Sequence, residues 1–153
     1  MRRLKPEDWQ LYRRIRLAAL QEAPYAFGST YAAEAGRPER SWRRTLDDRA
    51  RFLAEVDGVV AGTASGGEGD SPAVAALTAM WVDPRFRRRG VGEVLVMAVM
   101  EWAKSNRYSK LLLWVTDGNN NAERLYERNG FARTGAQQDV RPGHLEYEMS
   151  REL

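Results

Sequence analysis

The sequence predicts an α/β fold, a mixed sheet with helices laid against it in one domain over residues 1–153. Three observations carry this. The apolar period is helical in the first third of the chain and becomes alternating from Arg51. Asp57-Gly58 separates two apolar runs, the signature of a tight hairpin. The most regular amphipathic helix, Val91 to Lys104, is followed by the unbroken apolar run Leu111-Leu112-Leu113-Trp114-Val115, as expected of a central strand covered on both faces.

Taken in order, Pro6 to Gln21 reads as a helix, because Trp9, Tyr12, Ile15, Ala19 and Leu20 recur at spacings of three and four. Pro6 suits a first turn, and Glu7 and Asp8 suit the positive end of the helix dipole. The stretch Ala23 to Thr30 reads as a loop, and Pro38 to Asp48 as a second helix. Phe52–Val56 and Val59–Ala64 form the hairpin, and Gly66, Gly67, Gly69, Asp70 and Pro72 mark a loop before a long strand, Ala73 to Val82, stopped by Asp83-Pro84. On the helix after it, Val91, Val94, Leu95, Ala98, Val99 and Trp102 form the expected apolar stripe. A shorter helix from Asn120 to Asn129 places Ala122, Leu125 and Tyr126 on one side, with Gly130 at its C′ position. Phe131–Gln137 and His144–Arg151 close the chain as strands joined by Arg141-Pro142-Gly143, so the whole order reads β-α-α-β-β-β-α-β-α-β-β.

Composition narrows the function classes. Hydrophobic residues at 43% and charged residues at 29% are those of a globular protein rather than a disordered one. No apolar run reaches the length of a membrane span, and the basic start leads into no apolar signal region, so a cytoplasmic protein without a membrane partner is expected. With no cysteine and one histidine, His144, neither a thiolate nucleophile nor a His-based metal site is expected. The net charge of +3 does not call for a nucleic acid, and there is no groove-reading motif.

The chemistry concentrates in Val82-Asp83-Pro84-Arg85-Phe86-Arg87-Arg88-Arg89-Gly90-Val91-Gly92, between a strand and a helix. The first amides of a helix lack intrahelical partners and sit at the positive end of its dipole. Glycines at 90 and 92 would let a ligand approach the backbone, and the arginines add charge, which together make a cradle for a diphosphate. A Walker A loop is excluded by the missing Gly-Lys-Ser/Thr, and a dinucleotide fingerprint by Leu95 at its third glycine position.

Arg87-x-x-Gly90-x-Gly92 resembles the pyrophosphate loop of the GNAT superfamily of acyl-CoA-dependent N-acyltransferases. One strand downstream, Asn119-x-x-Ala122-x-x-Leu125-Tyr126-x-x-x-Gly130-Phe131 resembles the second half of the same signature. The resemblance implies a mixed, mostly antiparallel sheet of about six or seven strands flanked by about four helices. It implies acetyl-CoA as co-substrate, no metal, and direct transfer of acetyl to a primary amine of a small molecule or peptide in a ternary complex, with a homodimer allowed. In such proteins the strand before the loop splays from the next central strand. On that pattern the backbone of Met80, Trp81 and Val82 would pair with the pantetheine arm. Amides from Arg87, Arg88, Arg89, Gly90, Val91 and Gly92 would hold the pyrophosphate, Asn119 with Ala122 beside it would face the pantetheine arm, and Tyr126 would be the general acid toward the departing thiolate.

Plainer roles stand beside these. The arginines suit a solvated turn, Asn119 a helix cap, and Tyr126 a core aromatic. Phe27 and Tyr31, with Tyr25, lie where such proteins shape the acceptor pocket, and equally suit packing of helices on the sheet. No general base stands out; Glu34, Glu68, Asp70 and His144 are the candidates. A catalytically silent acetyl-CoA sensor has the same motif, as the alternative.

Overall fold

The computed structural model describes residues 1–153. A seven-stranded sheet runs β1 (Arg2–Arg3), β2 (Ala50–Val56), β3 (Val59–Glu68), β4 (Val74–Val82), β5 (Lys110–Thr116), β7 (His144–Glu152), β6 (Ala132–Arg141) in spatial order. Every pairing is antiparallel except β4 with β5. Five α-helices accompany it: α1 (Trp9–Glu22), α2 (Tyr31–Ala35), α3 (Glu39–Asp48), α4 (Val91–Ser105) and α5 (Asn120–Arg128). Asp57 and Gly58, at φ 51° and 77°, make the two-residue hairpin turn that their chemistry demands.

Apolar layers cover both faces of the sheet. One gathers Leu95, Val96, Val99 and Met100 of α4 with Leu111 and Leu113 of β5 and Met149 of β7. The other packs Tyr12, Leu17 and Leu20 of α1 and Trp42 and Leu46 of α3 onto Leu53 and Trp81. The sheet is thus a two-sided platform, and its central strands are reachable only where neighbours separate.

Several expectations are corrected. The loop after Phe27 contains α2, a fifth helix that starts at Thr30, whose Oγ1 accepts the Ala33 amide at 3.2 Å. Gly66 and Gly67 are not loop residues but the end of β3, where a Cβ on Gly66 would come within 2.6 Å of the Trp102 ring and one on Gly67 within 2.7 Å of Arg49. They are glycines because helix and arginine lie flat on the strand. On α4 the buried face is Val91, Leu95, Val96, Val99, Met100 and Ala103, while Val94 is 46% exposed. The stripe is turned toward the i+4, i+5 positions, where these side chains meet the sheet. Finally, β6 continues to Arg141, so only Pro142 and Gly143 form the last turn.

Substituting Gly66→Ala should lower stability by about 1–3 kcal/mol, because the methyl must displace the Trp102 ring. A shift of the urea midpoint at unchanged m-value measures it.

Candidate active site

The two middle strands part company halfway along. β4 and β5 pair only at Val74–Lys110, Ala75–Leu111 and Ala76–Leu112. Beyond Ala76, β4 has no partner on its β5 side, while β5 stays paired to β7 as far as Thr116–Glu146. The cause lies in β4. Against β3 its register slips between Thr63–Trp81 and Ser65–Thr78, so β4 carries one residue more than β3 there. Ala79, inside this bulge, sits at φ 54°, a left-handed conformation that a non-glycine residue holds only when its surroundings enforce it. The bulge also swaps parity. Ala75 and Leu77 join the α4-side layer before it, Met80 and Val82 after it, and Trp81 turns to the opposite layer.

The strand delivers the chain to the head of α4. Trp81 donates its indole N–H to Glu22 at 2.9 Å, and Arg87 reaches the same carboxylate at 2.9 Å while its Nε donates to the Val82 carbonyl at 3.0 Å. The Arg87 side chain is therefore spent on tying the loop to the end of α1. Arg88 and Arg89 are exposed; Arg88 has φ 64°, and Arg89 lies 5.7 Å from the Phe86 ring centroid. Gly90, at φ 81°, is the N-cap, with no side chain capping the helix and nothing within 4 Å of where its Cβ would stand. The first amides of α4 thus open to space that a ligand can enter. A Cβ on Gly92 would fall 2.9 Å from Leu125, so this glycine permits close packing of α4 on α5.

Asn119 caps α5, its Oδ1 accepting the Ala122 amide at a long 3.4 Å, and its Nδ2 has no protein partner. Tyr126, one of the buried residues of the α4-side layer, packs edge-on against Phe131 at 6.0 Å. Its hydroxyl makes no hydrogen bond within the protein, and burial pushes the phenol well above its usual range. Both sequence readings of this residue hold together: it is a core aromatic that also carries an unspent donor.

On the opposite face of the parted strands lies a cavity of about 560 Å³, bounded by Thr78, Ala79, Trp114, Phe27, Arg51 and Glu146 among others. A second depression, near 790 Å³, lies around Arg128, Gly130 and Glu152, at the end of β5 where β4 is still paired, away from the separation. Phe27 is buried and lines the first cavity, with the Arg16 guanidinium 4.9 Å above its ring. Tyr31 is 40% exposed and outside it, since it begins α2 rather than hanging in a loop. Glu34 is buried at the cavity edge, where Arg16 binds it through two bonds of 3.1 and 2.9 Å and Arg37 through one of 3.3 Å. Burial raises its carboxyl, but Arg16 and Arg37 outweigh that and hold it below the ordinary value. Glu68, exposed at the last paired position of β3, and Asp70, exposed in the loop after it, lie at the far end of the sheet from the separation. His144 is buried against Thr116 Oγ1 at 3.3 Å and Glu146 at 3.4 Å.

Sequence reasoning missed Arg51 and Glu146. Arg51 is 2% exposed, with its Nη2 donating to the Tyr12 hydroxyl at 2.8 Å and its charge stacked 4.3 Å from that ring. Burial lowers its guanidinium to about 10, still charged at neutral pH. Glu146, 7% exposed, accepts from Gln138 Nε2 at 3.0 Å. A signal existed for Arg51, a charge at the same strand parity as the apolar Leu53; Glu146 carried none, because it shares its parity on β7 with His144 and Glu148 while Leu145, Tyr147 and Met149 alternate with it.

Parted parallel strands, a bulged β4 and an uncapped glycine-led helix define a coenzyme-binding acyltransferase architecture. Residues 11–131 match the model of the Acetyltransferase (GNAT) family, and the chain belongs to that family. Among curated relatives, mycothiol acetyltransferase of Rhodococcus erythropolis is 30% identical over 135 residues, 84% of this chain and 44% of that protein. N-acetylaspartate synthetase of Danio rerio is 33% identical over 101 residues, 65% of this chain and 36% of its own. The chain thus spans less than half the length of these relatives. A GNAT-family acetyltransferase structure from Streptococcus pneumoniae superposes with TM-score 0.80 at 20% identity, over 99% of this chain and 97% of that one. A Salmonella typhimurium structure solved with acetyl-CoA gives TM-score 0.80 at 19% identity, over 99% and 92%.

Replacing Glu34→Gln should cost about 3 kcal/mol by stranding Arg16 and Arg37. The contribution is complete above the ordinary carboxyl value of 4.5 and fades as pH falls through the depressed native value, so wild type and variant should converge in acid melts.

Proposed function

We propose that this chain transfers the acetyl group of acetyl-CoA directly to a primary amine. The observation that carries the reading is the separation of β4 from β5, which leaves an unpaired strand edge running from Ala79 to the open head of α4. Bound there, acetyl-CoA supplies a thioester carbonyl as electrophile and a thiolate as leaving group. The free edge of β4 from Met80 to Val82 offers backbone groups to the pantetheine amides, as an added strand would. A β4 amide in the bulge polarises the carbonyl oxygen. The α4 amides, with Arg88 and Arg89 beside them, receive the diphosphate and the 3′-phosphate. Asn119 Nδ2 and the small face at Ala122 border the arm from the other side.

The amine must lose a proton to attack. Glu146, buried on the cavity wall that Trp114 and Ala79 share, is the carboxylate placed to accept it, directly or through water. The amine nitrogen forms the C–N bond as the C–S bond breaks, and the sulfur departs as a thiolate that the Tyr126 hydroxyl steadies. Because Tyr126 is held above its usual range while a thiol titrates near ~8.5, the phenol acts as a hydrogen-bond donor more than as a full proton source. The acetylated products named in the relatives above, one of them N-acetylaspartate, support a small-molecule amine as acceptor.

Acetyl-CoA at a hundred times its dissociation constant should stabilise the fold by about 2.7 kcal/mol, read as a thermal shift. Arg88→Glu with Arg89→Glu should leave the unliganded melting temperature unchanged and weaken acetyl-CoA binding by about tenfold or more; unchanged affinity removes the helix head from the reading. Tyr126→Phe should lower turnover by about 10²-fold with the thermal shift intact. Its pH profile should keep the wild-type shape across about pH 6 to 9, since the native phenol stays protonated there.

A further inference from the structure

The acceptor cavity is charged in a way that folding alone leaves unbalanced. Four arginines line it, Arg16, Arg37, Arg49 and Arg51, against two glutamates, Glu34 and Glu146. Glu34 is spent on Arg16 and Arg37. Arg37 is further saturated by Ser41 and Thr45 and stacks 4.0 Å from Trp42, a structural role. Arg51 has no carboxylate within 4 Å, although it is buried. Its partners are neutral oxygens: Tyr12 at 2.8 Å, Thr63 at 3.4 Å and the carbonyl of the bulge residue Ala79 at 3.5 Å. Two buried guanidinium nitrogens of arginines that line this cavity, Arg16 Nη1 and Arg51 Nε, have no hydrogen-bond partner at all. A buried cation without a counter-charge and with unsatisfied donors costs stability, and an evolved core would replace it by an apolar residue unless a bound anion completed it.

The sheet order sets the direction of this asymmetry. Arg51 stands on β2, two strands to one side of β4, and Glu146 stands on β7, next to β5 on the other side. The parted strands lie between them. One end of the cavity therefore favours an anion and the other a cation or a proton donor, with Ala79 and the unpaired edge of β4 between.

Resting on the acetyl-transfer reading, we propose that the acceptor is a small amine that also carries a carboxylate, an amino-acid-like molecule. Its carboxylate completes Arg51 and Arg16, and its amine lies toward Glu146 and the β4 edge. The planar guanidinium fork of Arg51, 4.3 Å from the centre of the Tyr12 ring, matches a carboxylate in shape and charge.

The test uses matched probes: amino acids, their carboxamides, the corresponding decarboxylated amines, and phosphoethanolamine, each with acetyl-CoA. Release of free CoA and the thermal shift of the CoA-loaded protein are both read. At least one amino acid should turn over with kcat/KM about tenfold or more above its carboxamide and its decarboxylated amine. Arg51→Met removes the fork and keeps bulk. It should raise the KM of the amino acid about tenfold or more while leaving kcat and the acetyl-CoA thermal shift close to wild type. Arg51→Lys should recover only part of the loss. Should Arg51→Met fail to fold, the probe comparison on the wild-type protein decides alone. Equal use of acid and carboxamide, preference for neutral amines or for phosphoethanolamine, or no amino acid giving either signal, each overturns the proposal. Loss of the acetyl-CoA shift in the wild-type protein would instead overturn the underlying acetyl-transfer reading, so the two failures are distinct.

Discussion

One constraint organises the molecule: β4 cannot remain hydrogen-bonded to both neighbours along its whole length. An extra residue near Ala79 keeps it in contact with β3 while turning it off the line of β5 after Ala76. Parallel strands are ordinarily buried and continuous. Breaking the only parallel pair in an otherwise antiparallel sheet leaves the β5-facing edge of β4 without a strand partner beyond Ala76, between two apolar layers. The positive φ of Ala79 is the local cost of that geometry, on the order of 1–3 kcal/mol for such a residue. Packing on both sides meets it, with Met80 and Val82 held in one layer and Trp81 in the other.

The chain around the opening is braced by charge. Glu22, at the last position of α1, holds Trp81 on β4 and Arg87 in the following loop, so a single carboxylate joins three segments distant in sequence. Glu34 does the same for Arg16 of α1 and Arg37 before α3. The Glu22–Arg87 link is half-exposed and contributes modestly, the buried Glu34 links contribute more, and together they tie α1 and the loop to the sheet. Against this background Arg51 is the exception, a buried cation among oxygens of neutral groups.

Much of the fold was legible in the chain. The Asp57-Gly58 turn, the β5 run and the start of α5 follow from turn chemistry, apolar continuity and capping, which depend on near neighbours only. The misreadings share one cause. Gly66 and Gly67 look like loop glycines, yet Trp102 and Arg49 lie against them; Gly92 has Leu125 of α5 against it, a contact its own motif does not announce. In each case the residue that explains the glycine lies in another element. The Arg87 side chain is similarly fixed by a distant partner, Glu22, 65 positions earlier.

What the sequence determined by itself was local: the order of helices and strands, the family motif at the α4 head and at α5, and the residue types available for chemistry. These rest on short-range periodicity and spacing, which survive without knowledge of distant partners. Only the tertiary structure decided which of those residues share a space. It put Arg51 and Glu146 on one face across the parted strands, removed Tyr31 from that space, and made Tyr126 both buried and unbonded. Burial and the pairing of charges are properties of neighbours brought together from far along the chain, and no local pattern encodes them.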